Sequence, residues 1–215
     1  MTPLHGGRRG EERPRTIGVG NMSSRFYVGE RISLRALEPS DAAVIAPWFN
    51  DPQNWITLDR CHPMSVLRER EFIEHLYQSQ SELVLGIVRA ADDQLVGVTG
   101  LHQIDPVSRR AVFGILIGRE YQNLGLGSEA VRLMARYAFF ELNLNRISLS
   151  VYAFNRRGVR VYERAGFVRE GCSRKSKWRH GAFHDELHYG LLRDDFEDTE
   201  REQVDDGARL ASMAT

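Results

Sequence analysis

Two cysteines in 215 residues, Cys61 and Cys172, exclude a disulfide-stapled fold, and neither stands in the Cys-x-x-Cys spacing of a zinc site. Both read as small buried hydrophobes, and no metal is indicated. No apolar run approaches the roughly 20 residues that span a bilayer, and the N-terminus lacks the apolar core of a signal peptide. The chain therefore reads as cytoplasmic, with no membrane partner. Formal net charge is +0, so no whole-protein field favours nucleic acid. Lysine is scarce: of 29 basic residues only Lys175 and Lys177 are lysines. That arginine excess reads first as a compositional habit. One cluster is local: between Arg156 and Arg179 the bases outnumber the acids Glu163 and Glu170. It suits either a phosphate-rich ligand or a solvated helix face.

What is present, 42% hydrophobic and 27% charged residues, is ordinary for one globular domain with tails. Residues 1–24, rich in Gly, Arg and Pro, read as a disordered leader, with Met22 as an alternative start. Residues 197–215, with acids such as Glu197, Asp198, Glu200 and Asp205, read as an acidic flexible tail. Between them, Arg31 to Leu37 alternates as a strand, and Ala42, Ile45, Ala46 and Phe49 recur at helical spacing up to Asp51-Pro52. Val66 to Gln78 reads as a second helix. Leu83 to Arg89 and Leu95 to Leu101 form a hairpin through Ala91-Asp92-Asp93-Gln94, and Ala111 to Ile117 continues the sheet. Val131, Met134, Ala135, Ala138, Phe139 and Leu142 mark a helix of about four turns. A strand at Ile147 to Val151 follows, then a short helix capped by Asn155 and stopped at Gly166. Phe167-Val168 opens another strand, and His184 to Leu192 supplies the last. The order implies an α/β (α+β) fold with a mixed sheet of about seven strands and about four helices.

The most informative stretch is Gln122-Asn-Leu-Gly-Leu-Gly-Ser-Glu-Ala130, which joins a strand to a long amphipathic helix. Helix N-termini offer unpaired N–H groups and partial positive charge, and glycines let a phosphate approach them. Gly125-x-Gly127-x-x-Ala130 also fits the G-x-G-x-x-A fingerprint of a dinucleotide site. That reading wants an acid about 20 positions on, after the next strand, for the ribose. Here that strand runs into Tyr152-Ala-Phe-Asn155 without one, and the preceding strands are hairpin-like.

With Gln122, the turn reads Gln-x-x-Gly-x-Gly. Together with Asn155-Arg-Arg-Gly-Val-Arg-Val-Tyr162-Glu-Arg-Ala-Gly166-Phe167 some 30 residues later, it resembles the GNAT family of acetyl-coenzyme A-dependent N-acetyltransferases. The resemblance spans about Phe26 to Phe196, so residues 25–196 are expected to be one N-acetyltransferase domain. Arg31-Ile-Ser-Leu-Arg-Ala-Leu-Glu-Pro-Ser-Asp41, Trp48-Phe-Asn-Asp-Pro52 and Gly181-x-x-x-Asp185 before Tyr189-Gly-Leu-Leu-Arg193 look most like the branch of ribosomal-protein N-terminal and spermidine acetyltransferases.

The resemblance implies a sheet splayed in a V, where the strand Gly114 to Ile117 parts from its neighbour and admits acetyl-coenzyme A as co-substrate. Free N–H groups of Leu116 and Ile117 would bind the pantetheine and polarise the thioester carbonyl. Gln122, Asn123, Leu124, Gly125, Leu126, Gly127 and Ser128 would hold the pyrophosphate, and Asn155 would touch the coenzyme arm while capping its helix. Tyr162, two turns along that helix, would protonate the leaving thiolate; as a bare residue it could equally be a core anchor. The acceptor ammonium must lose a proton before attack. The strand Ala111 to Ile117 carries no acid, which leaves Glu120 and His102 as candidate bases. Asn50, Asp51, Asn54 and Trp55 fall where this family builds its acceptor wall.

The expected reaction is direct acetyl transfer to a primary amine in a ternary complex, with a protein N-terminal α-amine first. A polyamine, amino sugar or aminoglycoside, or an idle acyl-coenzyme A-binding module, are the alternatives. Family habit would allow a homodimer.

Overall fold

The computed structural model describes residues 25–197, and the expected leader over 1–24 and the tail from residue 198 lie outside them. Eight strands form one sheet: β1 (Tyr27–Val28), β2 (Ile32–Ala36), β3 (Leu83–Arg89), β4 (Leu95–Asp105), β5 (Arg110–Ile117), β6 (Arg146–Tyr152), β7 (Val168–Arg179) and β8 (Ala182–Leu192). Their order is β1-β2-β3-β4-β5-β6-β8-β7, antiparallel throughout except for β5 beside β6. The helices include α1 (Ala42–Asn50), α2 (Pro52–Trp55), α3 (Val66–Leu76), α4 (Leu126–Arg136) and α5 (Arg156–Arg164), and residues 193–197 are helical as well. No helix among the described residues is long and apolar enough to cross a membrane.

Alternation along the strands divides the core between two faces. Val98 and Leu116 meet Ile45 and Trp48 of α1 and Ile73 of α3, while Leu101 and Phe113, one residue out of phase, join Val131 and Met134 of α4. The sequence reading of a mixed α/β domain holds, with two additions. Tyr27–Val28 is a two-residue edge strand too short to be seen in a pattern. A single helical turn, α2, follows Asp51, whose carboxylate accepts the Gln53 N–H at 2.9 Å. The long helix ends in a π turn over Tyr137–Glu141.

The final hairpin is far longer than Phe167-Val168 suggested. β7 is mostly exposed at the sheet edge, so its Arg, Lys and Ser residues need no apolar alternation. The connection at His180 and Gly181 takes φ of 46° and 74°, the mirror-image turn that matches strand twist. Cys172 stands on this exposed strand and Cys61 on an exposed loop, which corrects the expectation that both are buried.

β5 and β6 pair only from Arg110↔Arg146 to Val112↔Ser148. β5 nevertheless continues to Ile117 and β6 to Tyr152, turned toward β4 and β8 respectively. The result is the expected V, open between residues 113–117 and 149–152.

Glu129, in the first turn of α4, holds the start of β2 against this opening. One of its oxygens accepts the N–H groups of Arg31 (2.8 Å) and Ile32 (3.3 Å), and the other accepts Arg31 Nε (3.0 Å). The arginine in turn donates to the Leu124 carbonyl at 3.3 Å. A negative charge here also suits the helix dipole. Glu129→Ala, leaving donors unpaired, is expected to cost about 2 kcal/mol. A lower urea midpoint with unchanged m-value would register it; an unchanged midpoint would refute it.

Candidate active site

A cavity of about 540 Å³ fills the V. Its walls are β5 from Phe113 to Ile117, Ser150 and Val151 of β6, the turn at Tyr121–Asn123, the start of α4, one face of α5, and the segment Asn54 to Asp59.

The turn owes its shape to two left-handed residues, Asn123 at φ 63° and Gly125 at φ 78°. Gly125 sits beneath the Arg31 guanidinium, where a Cβ would approach to 2.9 Å. Gly127 differs: its φ is ordinary and it lies inside the first turn of α4. Its missing side chain therefore concerns space, and with Ser128 it leaves the helix N-terminus bare to the cavity. Leu124 and Leu126, expected among the coenzyme residues, do not line the cavity. Leu124 is exposed, and Leu126 is buried in the core.

Gln122 turns its side chain into the structure. Its Nε2 donates to Asn54 Oδ1 at 2.7 Å and to the Ile117 carbonyl at 3.0 Å, and its Oε1 accepts from Arg157 of α5. One amide thus ties the turn to β5, α5 and the opposite wall. Asn54 is buried and spends its Nδ2 on the carbonyls of Trp48 (3.1 Å) and Ile117 (3.4 Å). It lines the cavity as a fixed strut.

Backbone parity corrects one expectation. Gly118 donates to the Val96 carbonyl at 2.9 Å, and inward-pointing donors alternate along an antiparallel strand. Leu116 therefore directs its N–H at β4, while Ile115 and Ile117 direct theirs into the cleft. The donor pair is Ile115 and Ile117, not Leu116 and Ile117.

Asn155 caps α5, accepting the Gly158 N–H at 3.0 Å, and also lines the cavity. Gly166, at φ 91°, ends the helix as expected. Tyr162 sits between Phe113 and Phe167, with ring centroids 6.2 and 5.9 Å away. Burial alone pushes its phenol up to about 12, with no neighbouring charge or hydrogen bond contributing. Tyr162 thus lines the cavity with a neutral phenol.

Five other expected residues lie away from the cavity. Glu120 accepts Trp48 Nε1 at 3.2 Å. The His102 ring stands over Gly100 and Gly114, with Nδ1 3.5 Å from Glu82. Asn50 clamps the Met64 backbone through two bonds of 2.7 and 2.8 Å. Asp51 caps α2 and faces Arg119 at 3.6 Å. Trp55 lies under Arg179, 5.5 Å from ring to guanidinium.

Arg157, Arg160 and Arg164, part of the basic cluster that suited either a phosphate-rich ligand or a solvated face, share the cavity side of α5, whereas sequence reasoning passed over Thr57, Leu58, Asp59 and Ser150. The arginine spacing of three and four was a usable helical signal. Asp59 had none, because Lys177 reaches it from the distant hairpin, 2.6 Å away.

A bare helix N-terminus, free strand donors and basic side chains along one narrow cavity suit an extended phosphorylated thioester. Residues 31–168 match the family described as "Acetyltransferase (GNAT) domain". The chain belongs to the GNAT acetyltransferase family. It is 34% identical over 176 residues to "Putative ribosomal N-acetyltransferase YdaF" of Bacillus subtilis, covering 79% of this chain and 96% of that one. It is 32% identical to the spermidine N(1)-acetyltransferase of Escherichia coli K12, over 66% of this chain and 71% of that one. A crystal structure of spermidine N-acetyltransferase from Vibrio cholerae, in complex with CoA and spermine, superposes with TM-score 0.74 at 26% identity, covering 78% and 99% of the two chains. This GNAT chain is therefore an N-acetyltransferase that uses acetyl-coenzyme A.

The two glycines of the cradle are separable. Gly127→Ala is expected to keep or raise folding stability by about 0.5–1 kcal/mol, because its Cβ would meet only Ile117 Cγ1 at an ordinary 3.5 Å. It should raise the KM for acetyl-coenzyme A about tenfold, the scale of one lost charged hydrogen bond. Unchanged KM would remove Gly127 from the coenzyme site.

Proposed function

We propose that this acetyltransferase takes a protein N-terminal α-amine as its acceptor and transfers the acetyl group directly within a ternary complex. The observation that carries the acceptor class is the charge of the cavity wall. Among the described residues, its one carboxylate is Asp59, already paired with Lys177, and the other charged residues on the wall are arginines. A polyamine carries several cationic centres and would need carboxylates free to receive them. A peptide N-terminus brings a single ammonium. The 34% identity to a chain named as a putative ribosomal N-acetyltransferase is consistent with this class.

In this reading the N-terminus of α4, with Asn123, Gly125, Gly127 and Ser128, holds the pyrophosphate. Ile115 and Ile117 hold the pantetheine and draw electron density onto the thioester oxygen as the tetrahedral intermediate forms. Asn155 keeps α5 in place beside the arm. Tyr162 gives its proton to the leaving sulfur. A phenol pushed up to about 12 is a weaker acid than a free thiol near 8.5, so the transfer belongs to the moment of C–S cleavage, when negative charge gathers on the sulfur.

Tyr162→Phe is expected to lower kcat about 10²- to 10⁴-fold, with the thermal shift given by acetyl-coenzyme A intact. Thiol release across N-terminal peptides, spermidine, amino sugars and aminoglycosides tests the acceptor. A kcat/KM for spermidine above that for every peptide would overturn the N-terminal assignment in favour of the polyamine class named for the relatives. Coenzyme binding without thiol release from any amine would indicate an idle module.

A further inference from the structure

The reaction needs a proton acceptor, and neither Glu120 nor His102 lines the cavity. Ser150 does. It stands on β6 one step beyond the last paired rung, Val112↔Ser148, and so faces the position of Gly114 across the opening. Strand alternation places its side chain with Val112 and Gly114 on the sheet face opposite Phe113, the ring against which Tyr162 packs. Ser150 Oγ lies 3.0 Å from His188 Nδ1, and His188 Nε2 lies 2.7 Å from Ser173 Oγ on β7. A serine that touches the cavity is thus backed by an imidazole held at both nitrogens.

We propose that Ser150 and His188 form the proton relay that removes the acceptor's proton. The proposal rests on the acetyl-transfer reading of the cavity. Ser173 accepts from Nε2–H, which leaves Nδ1 as the acceptor for the Ser150 hydroxyl. The ammonium gives a proton to Ser150 Oγ as the Ser150 proton passes to Nδ1, and the freed lone pair forms the C–N bond. His188 then releases its proton to water. The nitrogen's second proton leaves by the same path as the C–S bond breaks. Tyr162 protonates the sulfur and recovers its proton from water. Nitrogen loses two protons, sulfur gains one, and one is released. Acid and base thus act from opposite faces of the sheet, so the two proton transfers do not compete for one group.

The charged groups around His188 are accounted for on each strand. Glu186, two residues before it on β8, is paired with Lys177 of β7 at 3.4 Å. The Arg146 and Glu170 pair lies over Gly190, two residues after it. From the loop above, Asp59 reaches Lys177 and, at 3.5 Å, the Tyr152 hydroxyl on β6. Both hydrogen-bond partners of His188 are neutral hydroxyls.

The test measures kcat/KM with an N-terminal peptide from pH 6.5 to 9 for wild type, S150A, H188N and the double variant. At pH 7 each single variant should lose about 10²-fold, and the double variant no more than either. The loss should shrink toward pH 9, because an α-amine near 8 then arrives already neutral. The thermal shift with acetyl-coenzyme A should match wild type in all. A loss of equal size at pH 7 and 9, activity unaffected by H188N, or H102Q reproducing the pH-dependent loss in its place, would each overturn the relay alone. A wild-type chain that releases no thiol with any amine would overturn the acetyl-transfer reading, and the relay with it.

Discussion

The molecule depends on a broken ladder. Parallel pairing between β5 and β6 stops after three rungs, although both strands continue. Backbone groups that would be costly to bury unpaired are thereby left facing a cavity, where a ligand with its own acceptors can satisfy them. The same opening separates two environments. On one side Tyr162 is packed by aromatic rings and kept neutral. On the other lie hydroxyls, imidazoles and paired charges. An acyl transfer needs both, since the nucleophile must be deprotonated and the leaving group protonated almost together.

Holding that opening falls to residues that do no chemistry. Glu129 fixes β2 and, through Arg31, the carbonyls of the glycine turn. Arg179, reaching back from the end of β7, donates to the carbonyls of Leu58 and Arg60 and covers Trp55. The long final hairpin thus serves as a brace for the segment that carries Leu58 and Arg60. The polar sequence of β7 follows from its place at the sheet edge, where neither face must exclude water.

What the sequence made legible is local. Gly125 at its left-handed φ, Gly127 in the first turn of α4 and the Asn155 cap each act within a few residues of where they stand, so a motif can record them, whereas the bonds of Gln122 to Asn54 and Arg157 left no trace in the motif that contains it. The rest of the cavity is assembled from afar. Asp59 meets Lys177 across 118 positions and Ser150 meets His188 across 38, and no periodicity encodes such pairings. Backbone parity is also invisible at that level: whether Leu116 or Ile115 faces the opening depends on register with β4, which the chain reveals only once folded. Cys61 and Cys172 misled for a related reason, since a small apolar type says nothing about which edge or loop receives it.

Gln122 has one further consequence. Its amide is shared among the phosphate turn, β5, the arginine of α5 and Asn54 on the facing wall. A shift of this turn therefore acts on Asn54 and on α5 together. In the proposed reading, where the turn holds the diphosphate, coenzyme binding would bear on the wall around Asn54, and by linkage any such coupling acts equally in both directions. A side chain read from the sequence as part of a phosphate motif is thus also the tie between two walls of the cavity.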